Sequence, residues 1–177
     1  MSGGGVSAGA VILLIAAIAL LIFGNGEGEQ GSRSQTGPAG PAAAGPERAE
    51  VERVVDGDTI EVTLGGITED VRYIGVDTPE TVKPGTPVQC FGEQASAFNH
   101  DLVEGETVRL RYDRELRDAY GRLLAYVYVG ETFVNAELVA GGYARTLEIA
   151  PNTSEAGRLE RLQSAASAAG RGLWGSC

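Results

Sequence analysis

The side chains with the most evident chemistry lie in two acidic turns. One is Val55-Asp-Gly-Asp-Thr59, and the other is Asp77-Thr-Pro-Glu80, which follows the strand-like run Arg72-Tyr-Ile-Gly-Val76. Pro79 fixes its own φ and disfavours helical geometry at Thr78, so we expect the strand to end there in a rigid turn. Carboxylates held by such turns can bind a cation or accept a proton.

The carboxylates of Asp58 and Asp77 are candidate ligands for a metal ion. Both border strands of one predicted meander, so antiparallel pairing would bring them to one point. With the Thr78 carbonyl and water they suit Ca²⁺, which takes about six to eight oxygen ligands. The chain has one histidine, His100, and no Cys/His cluster, so a zinc site is not expected. Asp58 as an ordinary turn aspartate beside glycine remains the alternative.

Two arginines extend this chemistry to a phosphate. Arg72 lies five residues before Asp77, and Arg122 lies between two later strand-like runs. Each could be a solvated charge, but two guanidiniums beside a cation would bind a phosphate in bidentate fashion. Glu80 could then activate or position a water molecule. A metal, a carboxylate base and paired arginines together indicate a phosphodiester hydrolase.

The elements that must position these residues follow from the apolar pattern. Alternating runs predict five main strands and a short hairpin partner for the last: 51–55, 59–64, 71–76, 108–112, 124–129 and 132–134. The first three should form an antiparallel meander. Helical spacing predicts three helices, around 95–102, 135–140 and 159–169, with Thr153 or Ser154 as a cap for the last. The pattern is α+β, mainly β, and predicts a small closed barrel with helices packed outside.

The N-terminal quarter differs in composition from the rest. Residues 10–23 are an unbroken apolar run, near the lower limit of the ~20 residues that cross a bilayer as a helix. We expect residues 1–23 to be an uncleaved signal anchor, a transmembrane helix, because no small-x-small site follows Phe23; a cleavable signal peptide is the alternative. Residues 24–46 are rich in Gly, Ala and Pro and predict a flexible linker. The globular domain then spans 47–177.

The two cysteines bear on the compartment. Cys90 lies in a predicted loop, and Cys177 is the last residue of the chain. Two unrelated thiols are one interpretation, but a terminal cysteine has little packing to do, which favours a disulfide. Such a bridge needs an oxidising compartment. We therefore expect a membrane-anchored domain outside the cell, or a secreted one if the signal is cleaved.

Charge limits the partners. The chain has 24 acidic and 14 basic residues, for a formal net charge of −10. Proteins that coat nucleic acid without specificity carry a basic excess, so this class is disfavoured. An enzyme that concentrates a few arginines in one cleft is not. No protein partner is predicted, and we expect a monomer.

Four motifs, in order, resemble those of the staphylococcal nuclease (thermonuclease) family, over about residues 50–174. They are Val55-Asp-Gly-Asp-Thr59, Arg72 through Glu80, Phe91-Gly-Glu-Gln-Ala-Ser-Ala-Phe98 and Asp118-Ala-Tyr-Gly-Arg-Leu-Leu-Ala-Tyr126. Any one of them alone would be weak evidence, whereas their order together is specific. The resemblance implies a five-stranded OB-fold barrel. It also implies Ca²⁺-dependent endonuclease cleavage of DNA and RNA that leaves 3′-phosphate ends.

The same resemblance implies a role for each matching residue. Asp58, Asp77 and the Thr78 carbonyl would bind calcium, and Glu80 would act on the attacking water. Arg72 and Arg122 would bind the phosphate of the substrate and stabilise its developing charge. Tyr120 would line the nucleotide pocket.

The chain also departs from the family's archetype, which is strongly basic and has tyrosines beside the nucleotide. Here the corresponding stretch reads Glu148-Ile-Ala150. We expect the Glu148 carboxylate to lie near the nucleotide and to affect its binding. The alternative function is a non-catalytic OB-fold module that binds nucleic acid, as some members of the superfamily do after losing catalytic residues.

Overall fold

The computed structural model describes residues 47–81, 85 and 87–177 of the 177-residue chain. The predicted N-terminal helix (1–23) and linker (24–46) lie outside the described residues. Within the described part, no helix has the length and apolar character needed to cross a bilayer.

The described residues form short strands and helices, named here in chain order. They are β1 (Glu47–Asp56), β2 (Thr59–Leu64), β3 (Ile67–Tyr73), β4 (Val76–Asp77), α1 (Gly92–Val103), β5 (Thr107–Arg111), β6 (Leu123–Val129), β7 (Thr132–Phe133), α2 (Val134–Gly141), β8 (Arg145–Thr146), α3 (Ala156–Ala168) and α4 (Leu173–Ser176).

Five strands close into a barrel. Strand β1 pairs with β2 and β5, β2 pairs with β3, and β5 pairs with β6, all antiparallel. The parallel pairing of β3 with β6, from Val71 opposite Leu123 to Tyr73 opposite Ala125, completes the ring. Helices α1 and α2 pack against β1 and β6. The predicted α+β fold, a five-stranded OB-type barrel with three main helices, is confirmed, as is the antiparallel meander of its first three strands.

The barrel interior is filled by the apolar residues of each alternating strand. Ile60 and Val62 of β2 are fully buried, and so are Val71 of β3 and Leu110 of β5. Because successive side chains of a strand point to opposite faces, this alternation fixes which residues face outward. It therefore sets the direction of the charged side chains at the strand ends.

The third predicted strand, 71–76, differs from the structure at both ends. Strand β3 begins at Ile67 and ends at Tyr73. Gly75 then adopts a φ of +80°, in the left-handed region, and turns the chain before β4. Strand β4 pairs with β8 in a separate two-stranded sheet, with Asp77 opposite Arg145. Asp77 is therefore supported by β8 rather than by the barrel.

The predicted cap of the last helix is wrong. Helix α3 begins after Glu155, which makes no side-chain capping hydrogen bond. The Arg158 N–H group in the first turn donates to the Glu155 carbonyl at 3.0 Å, and two N–H groups just before the helix are bound by other elements: Ser154 N donates to the Asp113 carboxylate at 3.0 Å, and Glu155 N donates to the Tyr126 hydroxyl at 3.3 Å.

Two further links position the polar turns. In α1 the Asn99 side chain donates to the Asp56 carbonyl at 3.0 Å and accepts from the Tyr73 hydroxyl at 3.0 Å, which ties the β1–β2 turn to the end of β3. Cys90 and Cys177 form a disulfide, as the sequence predicts.

Candidate active site

One pocket of about 340 Å³ gathers the residues that the sequence predicts for metal, phosphate and catalysis. All seven predicted residues line it, together with two further residues of the first acidic turn: Asp56, Asp58, Thr59, Arg72, Asp77, Thr78, Glu80, Tyr120 and Arg122. These motifs, which are distant in the sequence, therefore meet at one place, and the roles predicted for their residues stay predictions.

Asp58 is the buried carboxylate of this pocket. Its Oδ2 accepts hydrogen bonds from the backbone N–H of Thr78 at 2.8 Å and from the Thr78 hydroxyl at 3.0 Å. Its Oδ1 accepts from the Thr59 hydroxyl at 3.2 Å. Gly57 permits this close approach, because a Cβ there would lie 2.7 Å from the Thr78 hydroxyl oxygen. The two acidic turns are thereby fastened together.

Arg72 lies between the two predicted carboxylate ligands. Its Nη2 is 3.2 Å from Asp58 Oδ2 and 3.3 Å from Asp77 Oδ1. Its Nη1 donates to the carbonyl oxygens of Tyr73 and Val76, each at 2.8 Å. These bonds span the break between β3 and β4. The guanidinium is therefore fixed in direction before any substrate binds.

The pocket carries an excess of negative charge. Burial, and then the charge of Asp58, raise the pKa of Asp56 to about 6. Burial and Asp58 also raise the pKa of Asp77, although Arg72 acts in the opposite direction. A cation bound beside these groups would favour their ionised forms.

The donor set fits a hard cation better than a soft one. The pocket is lined by carboxylate, hydroxyl and carbonyl oxygens and contains no histidine or cysteine. Among the residues that the structure describes, no group of three or more His, Cys, Asp or Glu side chains could hold a metal ion. A cation here would therefore rely on Asp58, Asp77, the Thr78 carbonyl and water, which is chemistry suited to Ca²⁺.

Glu80 lines the same pocket, directly after the turn that carries Asp77. Its backbone is bound by Gln89 on both sides: Gln89 N donates to the Glu80 carbonyl at 2.9 Å, and Gln89 Oε1 accepts from Glu80 N at 3.1 Å. Sequence reasoning missed Gln89, because nothing in its local sequence indicates a partner nine residues earlier.

Arg122 is held by Asp118, a second residue that sequence reasoning missed. Asp118 Oδ2 accepts from Arg122 Nε at 2.8 Å, and Oδ1 accepts from the backbone N–H groups of Tyr120 and Arg122 at 2.9 and 3.0 Å. Burial would raise the pKa of Asp118, but the hydrogen bonds from Arg122 and the two N–H groups outweigh it and lower the pKa. The signal was present, since an aspartate two residues before a turn commonly accepts backbone N–H bonds.

Tyr120 projects into solvent from the same turn. It is 86% exposed, and the Arg122 guanidinium carbon lies 5.5 Å from its ring centre. An exposed aromatic ring beside a cationic group is suited to stacking with a planar ligand.

A second pocket, of about 410 Å³, adjoins the first through Arg72 and Arg122, which line both. Its other walls are mostly apolar and include Leu147 and Ile149. Glu148 lines neither pocket but lines a small cavity with Leu159, and this cavity shares Gly75, Leu147 and Asn152 with the second pocket. That the Glu148 carboxylate affects nucleotide binding stays a prediction.

Comparison with known proteins gives the geometry a family context. Residues 70–176 match the family described as staphylococcal nuclease homologue. The chain belongs to the staphylococcal nuclease family. It is 43% identical over 166 residues to a thermonuclease of Staphylococcus intermedius, a match that covers 93% of this chain and 95% of that protein. The predicted resemblance to this family is thus confirmed.

Two other relatives differ in the fraction of their length that aligns with this chain. A thermonuclease of Staphylococcus hyicus is 42% identical over 144 residues, which is 80% of this chain and 85% of that protein. Endonuclease YncB of Bacillus subtilis is 48% identical over 105 residues, 58% of this chain and 50% of that protein.

Proposed function

We propose that this protein is a calcium-dependent endonuclease that hydrolyses phosphodiester bonds in DNA and/or RNA. The observation that carries the proposal is the single pocket in which Arg72, Arg122 and Glu80 meet the carboxylates of Asp58 and Asp77. The thermonuclease and endonuclease relatives support a nuclease function. Calcium is supported by the oxygen-only donor set.

The two arginines would bind the scissile phosphate. Arg72 is oriented by backbone carbonyls and Arg122 by Asp118, so neither has to reorganise when charge develops on the phosphate oxygens. Bound at Asp58, Asp77 and the Thr78 carbonyl, Ca²⁺ would add positive charge next to the phosphate.

Glu80 would accept the proton of the attacking water. The new bond forms between that water oxygen and phosphorus, the bond from phosphorus to the 5′ oxygen breaks, and the leaving 5′ oxygen takes a proton from solvent water. The products are a 3′-phosphate end and a 5′-hydroxyl end. A carboxylate can do this only within about 2.6–3.2 Å of the water, or through one further water, which makes the placement of Glu80 decisive.

The apolar pocket beside the phosphate site would take part of a nucleoside. Its walls include both arginines together with Leu147 and Ile149, so a phosphate bound by the arginines places its attached nucleoside there. Tyr120 would stack on a neighbouring base.

Digestion of denatured DNA and of RNA by the purified protein tests the proposal. We expect cutting that requires CaCl₂ and stops when a calcium chelator is added. The products should resist labelling at their 3′ ends until a phosphatase removes the 3′ phosphate. Cutting that continues in the presence of the chelator would contradict the calcium assignment. Binding of single strands without any cutting would favour the non-catalytic OB-fold module.

We further propose that the domain acts outside the cell as a monomer, anchored by residues 1–23 through the linker 24–46. The disulfide of Cys90 and Cys177 supports an oxidising compartment. Protease treatment of intact cells should remove the activity from the cell surface. Activity found only in the medium would indicate cleavage and secretion, and activity protected inside the cell would contradict the placement.

A further inference from the structure

The segment 89–92 touches the backbone of Glu80 at several points. Gln89 binds both the N–H and the carbonyl of Glu80. Gly92, the first residue of α1, lies so close that an added Cβ would be 3.1 Å from the carbonyl oxygens of Pro79 and Glu80. The start of α1 thus forms a wall against which the Glu80 peptide rests.

The backbone of this segment is itself constrained. Phe91 has a φ of +69°, in the left-handed region that non-glycine residues seldom adopt. Its ring stacks on Tyr143 with centroids 5.5 Å apart. Such a conformation persists only where the surroundings hold it in place. The two residues next to Phe91 in the chain constrain its backbone, Cys90 through the disulfide and Gly92 through close packing.

The disulfide ties the segment to a fixed point. Cys177 N donates to the Leu173 carbonyl at 3.1 Å, and Leu173 N donates to the Gly142 carbonyl at 2.9 Å. Leu173 is also buried. The bridge from Cys177 to Cys90 therefore connects the residue next to Gln89 to the packed C-terminal turn.

The other groups of the proposed site are held by different contacts. Asp58 is fixed by Thr78, and Arg122 is fixed by Asp118. Asp77 lies on β4, which pairs with β8. Gln89 and Cys90 line a pocket with Asp77 and Thr78, but Gln89 hydrogen-bonds to Glu80, so loosening the segment 89–92 should displace Glu80 more than the cation ligands.

We propose that residues 89–92 form a positioning clamp for Glu80, locked by the Cys90–Cys177 disulfide, so that reduction lowers turnover without weakening calcium or substrate binding. The proposal rests on the proposed nuclease function. Gln89 is its positioning residue, since it acts on the substrate only through Glu80. Because small displacements of a reacting group can slow a reaction about a hundredfold, a partly released clamp should have a measurable effect.

Redox titration of the full chain, purified in detergent, is the first test. Reduction is expected to lower kcat by about tenfold, to leave KM and the calcium Kd within about twofold, and to be reversed by reoxidation. Cys177→Ser should behave as the reduced protein under both conditions. Equal kcat in the oxidised and reduced proteins would overturn the proposal, and so would a loss confined to KM or to calcium binding.

Substitution of Gln89 is the second test. Gln89→Leu removes the acceptor for Glu80 N and should lower kcat, whereas Gln89→Glu keeps an acceptor oxygen and should restore it. The matched control is Glu104→Leu, which removes a side-chain acceptor from a backbone N–H group, that of Val54 at 2.8 Å, at a place that does not line the pocket. This control should lower the melting temperature similarly but leave kcat unchanged. Equal kcat losses in Gln89→Leu and Glu104→Leu would overturn the clamp.

Hydrogen exchange separates failure of the clamp from failure of the proposed nuclease function. Reduction and Gln89→Leu should each speed exchange of the Glu80 amide while leaving the Thr78 amide, which donates to Asp58, protected. This result would support the clamp even in a protein that cuts nothing. Unchanged exchange at Glu80 would overturn it, whether or not the protein cuts.

Discussion

Asp118 holds Arg122 through three contacts that fix both its backbone and its guanidinium. Asp118 Oδ2 lies 2.8 Å from Arg122 Nε and 2.8 Å from its Nη2, while Oδ1 accepts from Arg122 N at 3.0 Å. The carboxylate thereby directs a positive charge into the pocket that also holds Glu80. A loose arginine at this position would have to be ordered in each catalytic cycle.

Asp118→Asn should lower kcat by about tenfold or more with a smaller change in KM. The variant keeps an acceptor for the backbone N–H groups but loses the charge that orients the guanidinium. Steady-state cleavage of a short single-stranded DNA checks this. Asp113→Asn is the matched control, because Asp113 also accepts a backbone N–H bond, from Ser154, but does not line the pocket. An unchanged kcat in Asp118→Asn would contradict the positioning role.

Asp56→Asn should stabilise the calcium-free protein in a pH-dependent way. Burial and Asp58 raise the pKa of Asp56 to about 6 in the folded state, above its ordinary value of 3.8. Ionisation therefore lowers the free energy of unfolding as pH rises from about 4 to about 6, and the full penalty is present above that range. The substitution should raise the free energy of unfolding by about 1–3 kcal/mol near neutral pH.

Urea denaturation in a calcium chelator, at about pH 7 and about pH 4, measures this difference. The gain should shrink towards the lower pH, where Asp56 is protonated in the folded state and about half protonated in the unfolded chain. A gain that is larger at the lower pH would show that charge at Asp56 is not the cause.

Ile149→Ser should raise KM for a dinucleotide several-fold and leave kcat nearly unchanged. Ile149 lies in the apolar pocket beside the arginines, so its loss would weaken binding of the nucleoside equally in the ground and transition states. Ile67→Ser is the matched control, since Ile67 is 64% exposed, Ile149 is 60% exposed, and Ile67 lines neither pocket. Equal KM values for the two variants would remove Ile149 from the substrate site.

The sequence predicted the barrel and the meeting of the acidic turns because both depend on local patterns. Strand alternation fixed the barrel-facing residues, and the short meander placed Asp58 beside the turn that contains Thr78. It did not predict the end of β3. The run 71–76 looks continuous, and only the left-handed Gly75 and the pairing of β4 with β8 break it.

The supporting residues Asp118 and Gln89 were missed for a different reason. Gln89 binds the backbone of a residue nine positions earlier, which has no sequence signature, whereas the turn position of Asp118 indicated its backbone bonds but not its contact with the Arg122 guanidinium. Reactive groups are recognisable by type and spacing, whereas the residues that orient them depend on how distant segments pack. The disulfide was the exception, because two cysteines allow a single intramolecular pairing.

Cleavage of single-stranded DNA as a function of CaCl₂ concentration, by wild type, Glu80→Gln and Arg122→Ala, tests the central claim most directly. Glu137→Gln and Arg114→Ala, at exposed positions that do not line the pocket, are the matched controls. We expect calcium-dependent cutting by wild type and both controls, with kcat lowered by about a hundredfold or more in Glu80→Gln and in Arg122→Ala. Full activity in either site variant, or calcium-independent cutting by wild type, would contradict the account.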